Sequence, residues 1–167
     1  MSNSSDFLFL TEKRPVMNPN SPISDIMTTR LVTVRPDEKV RTIQDIFAKN
    51  SFHHVPVIDD GEKLLGIISK EDFFRFSYLL SLNTTGKTFS GMAYEHYTAK
   101  DLMTKYPINL DPDDTVGLAA DIFLANKFHA LPIVEDGALV GIVTTHDLLQ
   151  YSFNSPIVPE AEEEFEE

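Results

Sequence analysis

An internal duplication is the feature of this 167-residue chain that most constrains its fold. When the two copies are aligned, Asp25 falls on Asp101 and Asp72 falls on Asp147, so the copies differ in length by one residue. The difference arises within a hairpin. Such a duplication predicts two copies of one supersecondary unit that pack face to face about a pseudo-two-fold axis.

Composition argues against nucleic-acid binding, membrane insertion and disulfide cross-linking. The formal charge is −12, and there is no cysteine. Binding to nucleic acid depends on Lys and Arg side chains that neutralise phosphates, and this chain has no basic stripe. No segment reaches the roughly 20 apolar residues of a membrane span, and Phe7–Leu10 is too short for a signal-peptide core. We expect a cytoplasmic protein.

Composition and the duplication together divide the chain into five segments. They are a lead-in (1–21), repeat one (22–79), a linker (80–97), repeat two (98–154) and an acidic tail (155–167). The tail carries six glutamates after Pro159, which is typical of a solvated, disordered end. The linker contains two glycines and several Ser and Thr residues, and it predicts an extended helix end followed by a loop.

Each repeat reads as strand, helix, strand, strand, helix. Asp37 is placed to cap the first helix of repeat one, and Asp60-Gly61 between two apolar runs predicts a hairpin. The bounds in repeat one are strand 32–34, helix 40–50, strands 55–58 and 63–69, and helix 70–79. Those in repeat two are strand 108–110, helix 115–126, strands 131–134 and 138–144, and helix 145–151. The expected fold is mixed α/β (α+β), two tandem β-α-β-β-α units that share one core.

One motif joins the last strand to the last helix in both repeats. It reads GIISKED from Gly66 and GIVTTHD from Gly141, so Ser69 and Thr144 each precede an aspartate by three residues. One interpretation is a helix capping box. The other is a nucleotide site, because a helix N-terminus favours phosphate and a carboxylate accepts hydrogen bonds from ribose hydroxyls. The two roles are compatible.

Taken together, these motifs resemble the CBS-domain family over residues 22–153. The resemblance is carried by the order of elements, the Met-Thr openings (Met27-Thr28, Met103-Thr104), the His-x-hydrophobic-Pro strand starts (His53–Pro56, His129–Pro132) and the two junction motifs. A tandem pair of such domains is called a Bateman module. The resemblance implies two clefts between the repeats that hold adenosine ligands such as AMP, ADP, ATP or S-adenosylmethionine. It also implies that two modules pair into a flat homodimeric disc.

The resemblance also implies roles for particular residues. Ribose hydroxyls would be bound by Asp72 and Asp147, and ribose or phosphate would be contacted by Ser69 and Thr144. The adenine pocket would be lined, largely through backbone, by Thr28, Val32, Thr104 and Ile108. The histidines that lean toward phosphates would be His53, His54 and His129, although a structural role for His53 and His129 stays open.

The number of cations near the motifs bears on the ligand. Some nucleotide-binding members of the family place Arg beside the motif histidine, where this chain has His54 and Ala130. Lys70 is the only lysine or arginine of the two junction motifs, and we count it among the expected ligand-binding residues. Because a polyphosphate needs compensating charge, AMP fits this sequence better than ATP.

These observations favour a regulatory module that senses an adenine nucleotide and signals in trans to an unknown effector protein. The alternative is a structural homodimerisation module without bound nucleotide. The sequence has no visible arrangement of nucleophile and base and no P-loop, so we predict no enzymatic activity and no catalytic residue. The scattered histidines predict no metal site, and no cofactor is required.

Overall fold

The computed structural model describes residues 18–83 and 87–154. Within them repeat one forms α1 (Val40–Lys49), β1 (His54–Ile58), β2 (Leu64–Ser69) and α2 (Lys70–Asn83). The connecting segment forms α3 (Lys87–His96). Repeat two forms α4 (Ala99–Leu102), β3 (Thr104–Lys105), α5 (Val116–Ala125), β4 (Ala130–Glu135), β5 (Ala138–Thr144) and α6 (Thr145–Asn154). The mixed α+β class is confirmed, and the acidic tail and most of the lead-in lie outside the described residues.

Both predicted hairpins are present and are antiparallel. β1 pairs with β2, β4 pairs with β5, and each ladder contains one register shift near its turn. In repeat two, Asp136 and Gly137 have φ values of 50° and 84°, the left-handed conformation that a type I′ turn requires at both central residues. In repeat one, the carboxylate of Asp59 accepts from the backbone N–H groups of Gly61 and Lys63, both at 2.9 Å. The Asp-Gly signal therefore identified both turns.

The first strand of each repeat is shorter than predicted. Val34 forms a single parallel bridge to Val57, and Leu110 forms the equivalent bridge to Ile133. The backbone N–H of Val34 donates to the Pro56 carbonyl at 3.1 Å. The β-branched residues of these segments thus join the core as isolated bridges beside the hairpins.

The prediction that Asp37 caps α1 is wrong. The N-cap of α1 is Lys39, which makes no side-chain cap hydrogen bond. The N-terminal N–H of Val40 donates instead to the carbonyl of Tyr97 at 3.1 Å, and the carbonyl of Glu38 accepts from Ala99 at 2.8 Å. Backbone at the junction of the linker and repeat two therefore pairs with the start of this helix and satisfies the Val40 N–H without a side-chain cap.

The loop predicted for the end of the linker is a helix, α3. Its Tyr94 hydroxyl donates to Ser77 at 2.8 Å, and its ring lies 6.0 Å from the ring of Phe73 in α2. Glu95 pairs with Arg41 of α1 at 3.2 Å. These contacts with two helices of repeat one stabilise a segment whose Gly and Ser content alone favours a loop.

The opening segment of each repeat pairs with the hairpin of the other repeat. Thr28, from the start of repeat one, exchanges two backbone hydrogen bonds with Ile142 of β5, at 2.9 and 3.0 Å. In the equivalent arrangement β3 extends β2, with Thr104 opposite Ile67. The chain therefore crosses over at both openings, and each half of the molecule contains residues of both repeats.

Two hydrophobic clusters result, one around each hairpin. The first contains Val34, Val40, Ile43, Phe47, Val55, Val57, Ile68, Phe73 and Ala99. The second contains Ile23, Leu110, Val116, Ala119, Phe123, Leu131, Ile133 and Val143. Ala99 belongs to the opening segment of repeat two and Ile23 to that of repeat one, so each cluster contains residues of both repeats. In the described part of the chain, no helix has the length and apolar character to cross a membrane.

Candidate functional site

Two clefts of similar size lie between the repeats. The first, which we call the Asp147 cleft, has a volume of about 510 Å³ and includes Thr28, Arg30, Val32, His53, Thr144 and Asp147 in its lining. The second, which we call the Asp72 cleft, has a volume of about 490 Å³ and includes Ser69, Asp72, Thr104, Tyr106, Ile108 and Lys127. Both volumes are within the range of small-molecule sites.

The crossover explains why each cleft combines the two repeats. The opening segment of repeat one lies along β5 and supplies one wall of the Asp147 cleft. The opening segment of repeat two lies along β2 and supplies the same wall of the Asp72 cleft. Thr28, Val32, Thr104 and Ile108 are all lining residues. Val32 and Ile108 remain 41% and 51% exposed, and they give each cleft an apolar surface suited to a flat ring.

The junction motif of repeat one forms a capping box. The backbone N–H of Asp72 donates to Ser69 Oγ at 3.0 Å, and the Ser69 N–H donates to Asp72 Oδ2 at 3.2 Å. The Ser69 hydroxyl also donates to Oδ2, at 2.6 Å. The hydroxyl of Ser69 therefore donates its proton to the carboxylate of Asp72, and Ser69 serves as the cap of α2.

Repeat two forms the same box with a threonine. The backbone N–H and the hydroxyl of Thr144 both donate to Asp147 Oδ2 at 2.7 Å, and the N–H of Asp147 donates to Thr144 Oγ1 at 3.3 Å. In both boxes the cap uses only one carboxylate oxygen. Among the described residues Asp147 Oδ1 has no hydrogen-bond partner, and Asp72 Oδ1 has only a distant guanidinium of Arg75 at 4.0 Å.

The histidines meet where the two clefts approach one another. His53 lines the Asp147 cleft, whereas His54 and His129 line both clefts. The pKa of His54 is lowered from 6.5 to about 4, mainly by burial; His53 and His129 contribute in the same direction, and Asp72 opposes them. His54 is thus a neutral imidazole at physiological pH, able to donate one hydrogen bond but carrying no charge.

The pKa of His54 predicts a loss of stability in mild acid. The unfolded chain takes up this proton near pH 6.5 and the folded chain only near pH 4, so His54 costs stability as the pH falls through that window. Between pH 7 and pH 4.5, we expect the unfolding free energy of His54→Gln to fall by about 2 kcal/mol less than that of the unmodified protein. Urea unfolding at both pH values measures it. His96 lies outside the clefts, so the control His96→Gln should lose as much stability as the unmodified protein. If His54→Gln also loses as much, the assignment of this loss to His54 is wrong.

Lys70 does not line either cleft. Its Nζ instead reaches back to the carbonyl of Phe47 at 3.5 Å, because the residue after the cap points along the helix surface toward α1. The cations in the clefts are Arg30 and Lys127, which the sequence analysis did not single out. Arg30 lies between Thr28 and Val32, two predicted lining residues, and this spacing was the signal that could have identified it.

Among the described residues, no group of three or more histidine or acidic side chains is arranged to hold a metal ion. The lining residues of each cleft offer hydrogen-bonding groups, charge and apolar surface. One side offers a carboxylate oxygen beside a helix N-terminus, and the other offers apolar side chains and backbone.

Comparison with known proteins is consistent with this geometry. The family model of the CBS domain matches residues 23–78 and 99–154, more than half of the chain. The crystal structure of CBSX2 from Arabidopsis thaliana in complex with AMP superposes with a TM-score of 0.66 at 29% identity, covering 79% of this chain and 96% of that one.

Two curated relatives are longer proteins. The chain is 26% identical over 140 residues to the uncharacterized protein MJ1225 of Methanocaldococcus jannaschii, covering 79% of this chain and 47% of that protein. It is 33% identical over 120 residues to inosine-5'-monophosphate dehydrogenase of Aquifex aeolicus, covering 71% of this chain and 22% of the enzyme. The chain thus spans less than half the length of either relative.

Proposed function

The chain belongs to the CBS-domain family as a tandem pair, and from that premise we propose that it is a regulatory module that binds an adenosine ligand in the clefts between its repeats. The observation that carries this proposal is the second oxygen of each junction aspartate. Each aspartate lines a cleft that also has apolar lining residues, and the capping box uses only its Oδ2. A ribose hydroxyl could donate to Oδ1 without disturbing the helix cap.

The rest of each cleft suits the other parts of an adenosine. Val32 and Ile108 offer aliphatic surface for the purine. The N-termini of α2 and α6, which follow Ser69 and Thr144 directly, present the positive end of a helix dipole. The AMP complex of CBSX2, a protein 29% identical to this one, supports adenosine as the ligand class.

AMP is the ligand favoured by charge. Among the described lining residues each cleft has one side chain with a fixed positive charge, Arg30 or Lys127, and His54 is neutral. A single phosphate could be balanced by one such cation, whereas a triphosphate would leave most of its charge unpaired. We therefore place AMP above ADP, ATP and S-adenosylmethionine.

Calorimetry on protein stripped of small molecules tests the proposal. AMP, ADP, ATP and S-adenosylmethionine are titrated separately, and we expect AMP to bind most tightly and to raise the melting temperature. If all four leave both the heat signal and the melting temperature unchanged at millimolar concentration, the proposed function is wrong.

We also propose that two copies of the chain pair through α2 and α6, the last helices of the two repeats. Phe74 and Tyr78 of α2 are exposed, and so are Leu149 and Phe153 at the equivalent positions of α6. Side chains four apart lie on one face of a helix, so each copy presents two apolar stripes that could pack against the same stripes of a second copy in an isologous dimer. Sedimentation equilibrium should give a dimer that Tyr78→Glu with Phe153→Glu converts to a monomer.

Signalling would then be non-catalytic and would act on another protein. Because each cleft is walled by both repeats, a bound ligand contacts both, and it favours whichever arrangement of the repeats binds it better. The ligand would change the affinity of the chain for an effector that binds one arrangement. The effector would change the affinity for the ligand by the same factor.

A further inference from the structure

Resting on the proposed function, we infer that the two clefts select different adenosine ligands, and that one repeated position decides which. Arg30 would make the Asp147 cleft the site for a phosphorylated adenosine. Tyr106 would make the Asp72 cleft the site for an adenosine without a phosphate, such as adenosine itself or a thioether derivative of adenosine.

Arg30 and Tyr106 occupy the same place in the two repeats. Each lies two residues after the threonine of the Met-Thr opening and two before the apolar lining residue, Val32 or Ile108. Each lines its own cleft. The pseudo-symmetry therefore puts a guanidinium in one cleft where the other has a phenol ring.

Arg30 is available to a ligand. It is exposed, and no ion pair or hydrogen bond of its side chain occurs within the described part of the chain, whereas Arg35, Arg41 and Arg75 each pair with a carboxylate. A guanidinium binds phosphate through two parallel hydrogen bonds. The Asp147 cleft thus contains an uncommitted group that distinguishes a phosphate from a hydroxyl.

Tyr106 is held in an unusual backbone conformation. Its φ is +49°, which is rare for a bulky residue, and it precedes a proline, Pro107, which restricts it further. Its backbone N–H donates to the Leu65 carbonyl at 3.2 Å, which fixes the turn. The side chain nevertheless remains 84% exposed. A strained turn that holds an exposed aromatic ring beside a cleft suits a ring that covers a bound purine.

The remaining charges of the clefts act in the same direction. In the Asp72 cleft, Lys127 is outnumbered by the carboxylates of Asp72 and Glu71. Arg75 pairs with Glu71 at 3.3 Å, but both side chains are well exposed, so it offsets that charge only in part. Among the described residues that line the Asp147 cleft, Asp147 is the only acidic one, and Thr145 and His146 replace the lysine and glutamate of repeat one.

Histidines add to the difference. The Asp147 cleft is lined by His53 and His146 in addition to the shared His54 and His129, and the Asp72 cleft by the shared pair alone. Imidazoles donate hydrogen bonds to phosphate oxygens in either protonation state. The cleft that contains Arg30 therefore also contains twice as many such donors.

AMP and adenosine, which differ only by the phosphate, are the probes for this inference. Asp72→Ala leaves the Asp147 cleft intact and Asp147→Ala leaves the Asp72 cleft intact, so calorimetry on each variant measures one cleft. We expect AMP to bind at least tenfold more tightly than adenosine in the Asp147 cleft, and no more tightly in the Asp72 cleft. Arg30→Gln should remove the tenfold preference, whereas Arg35→Gln, a matched control outside the clefts, should keep it. Tyr106→Ala should weaken adenosine binding in the Asp72 cleft about fivefold.

The outcomes separate the two proposals. If AMP and adenosine both bind but their affinity ratio differs by less than threefold between the clefts, or is larger in the Asp72 cleft, the selectivity inference fails and the proposed function stands. If neither probe binds, both fail. Amide chemical shifts of the unmodified protein, followed at 30–32 and at Tyr106 and Ile108 during each titration, assign the clefts even if an aspartate variant does not fold.

Discussion

Replacement of both junction aspartates, Asp72→Ala with Asp147→Ala, is expected to weaken AMP binding about 100-fold while the protein stays folded. Each carboxylate would accept ribose hydroxyls through its second oxygen, and hydrogen bonds to a charged acceptor contribute about 1.5–3 kcal/mol each. The loss of one such interaction in each cleft corresponds to about 100-fold in affinity. Loss of the two caps should lower the unfolding free energy by about 1 kcal/mol each.

A third capping box in the chain provides the control. Asp101 accepts from the backbone N–H and the hydroxyl of Thr98 at 2.9 and 2.8 Å, and these bonds lower its pKa. It has the chemistry of the junction boxes but lines neither cleft. Asp101→Ala should therefore cost similar stability and leave AMP binding unchanged. If the chain were only a dimerisation module, replacement of any of the three aspartates would change its stability and nothing else.

Gly66→Ala is expected to destabilise the protein by about 2–3 kcal/mol and to distort the Asp72 cleft. A Cβ at this position would lie 2.6 Å from Met103 Sδ and 2.8 Å from the carbonyl oxygen of Thr104. That carbonyl belongs to β3, which is paired with β2, so it cannot move without breaking the ladder. Chemical denaturation measures the loss, and the amide shifts of 104–106 and Ile108 report on the cleft wall.

The equivalent glycine of repeat two should respond differently. A Cβ at Gly141 would meet Met27 Sδ at 2.5 Å, but the backbone oxygen of Thr28 is 3.4 Å away. A methionine side chain can adopt another rotamer, so Gly141→Ala should cost no more than about 1 kcal/mol. Equal losses at the two positions would contradict the claim that the backbone of β3 is the rigid neighbour.

Local features of the fold were predictable because they depend on a few adjacent residues. The start of α6 at Thr145, the start of α2 at Lys70 and both hairpins follow from the junction motifs and the Asp-Gly turns. The loop prediction for the linker failed because the helix there depends on Tyr94 and its partners elsewhere in the chain, which local composition does not report.

The clefts themselves were only partly predictable. The duplication indicates two similar surfaces, but the pairing of Thr28 with Ile142 of the other repeat is a long-range choice that no local pattern specifies. Lys70 was named because it lies within a motif, and its side chain is turned toward Phe47 instead. Arg30 and Lys127 were missed because they lie outside the motifs, Arg30 on the opening segment that the crossover brings into a cleft and Lys127 in the connection between α5 and β4.

The central claim is that a ribose binds to a junction aspartate whose other oxygen caps a helix. The most direct test is a crystal structure of the protein soaked with AMP. The account predicts AMP in the Asp147 cleft, with its ribose hydroxyls within about 3 Å of Asp147 Oδ1 and the bonds from Thr144 to Oδ2 retained. AMP bound elsewhere, or density showing that the ribose faces away from both aspartates at saturating ligand, would contradict it.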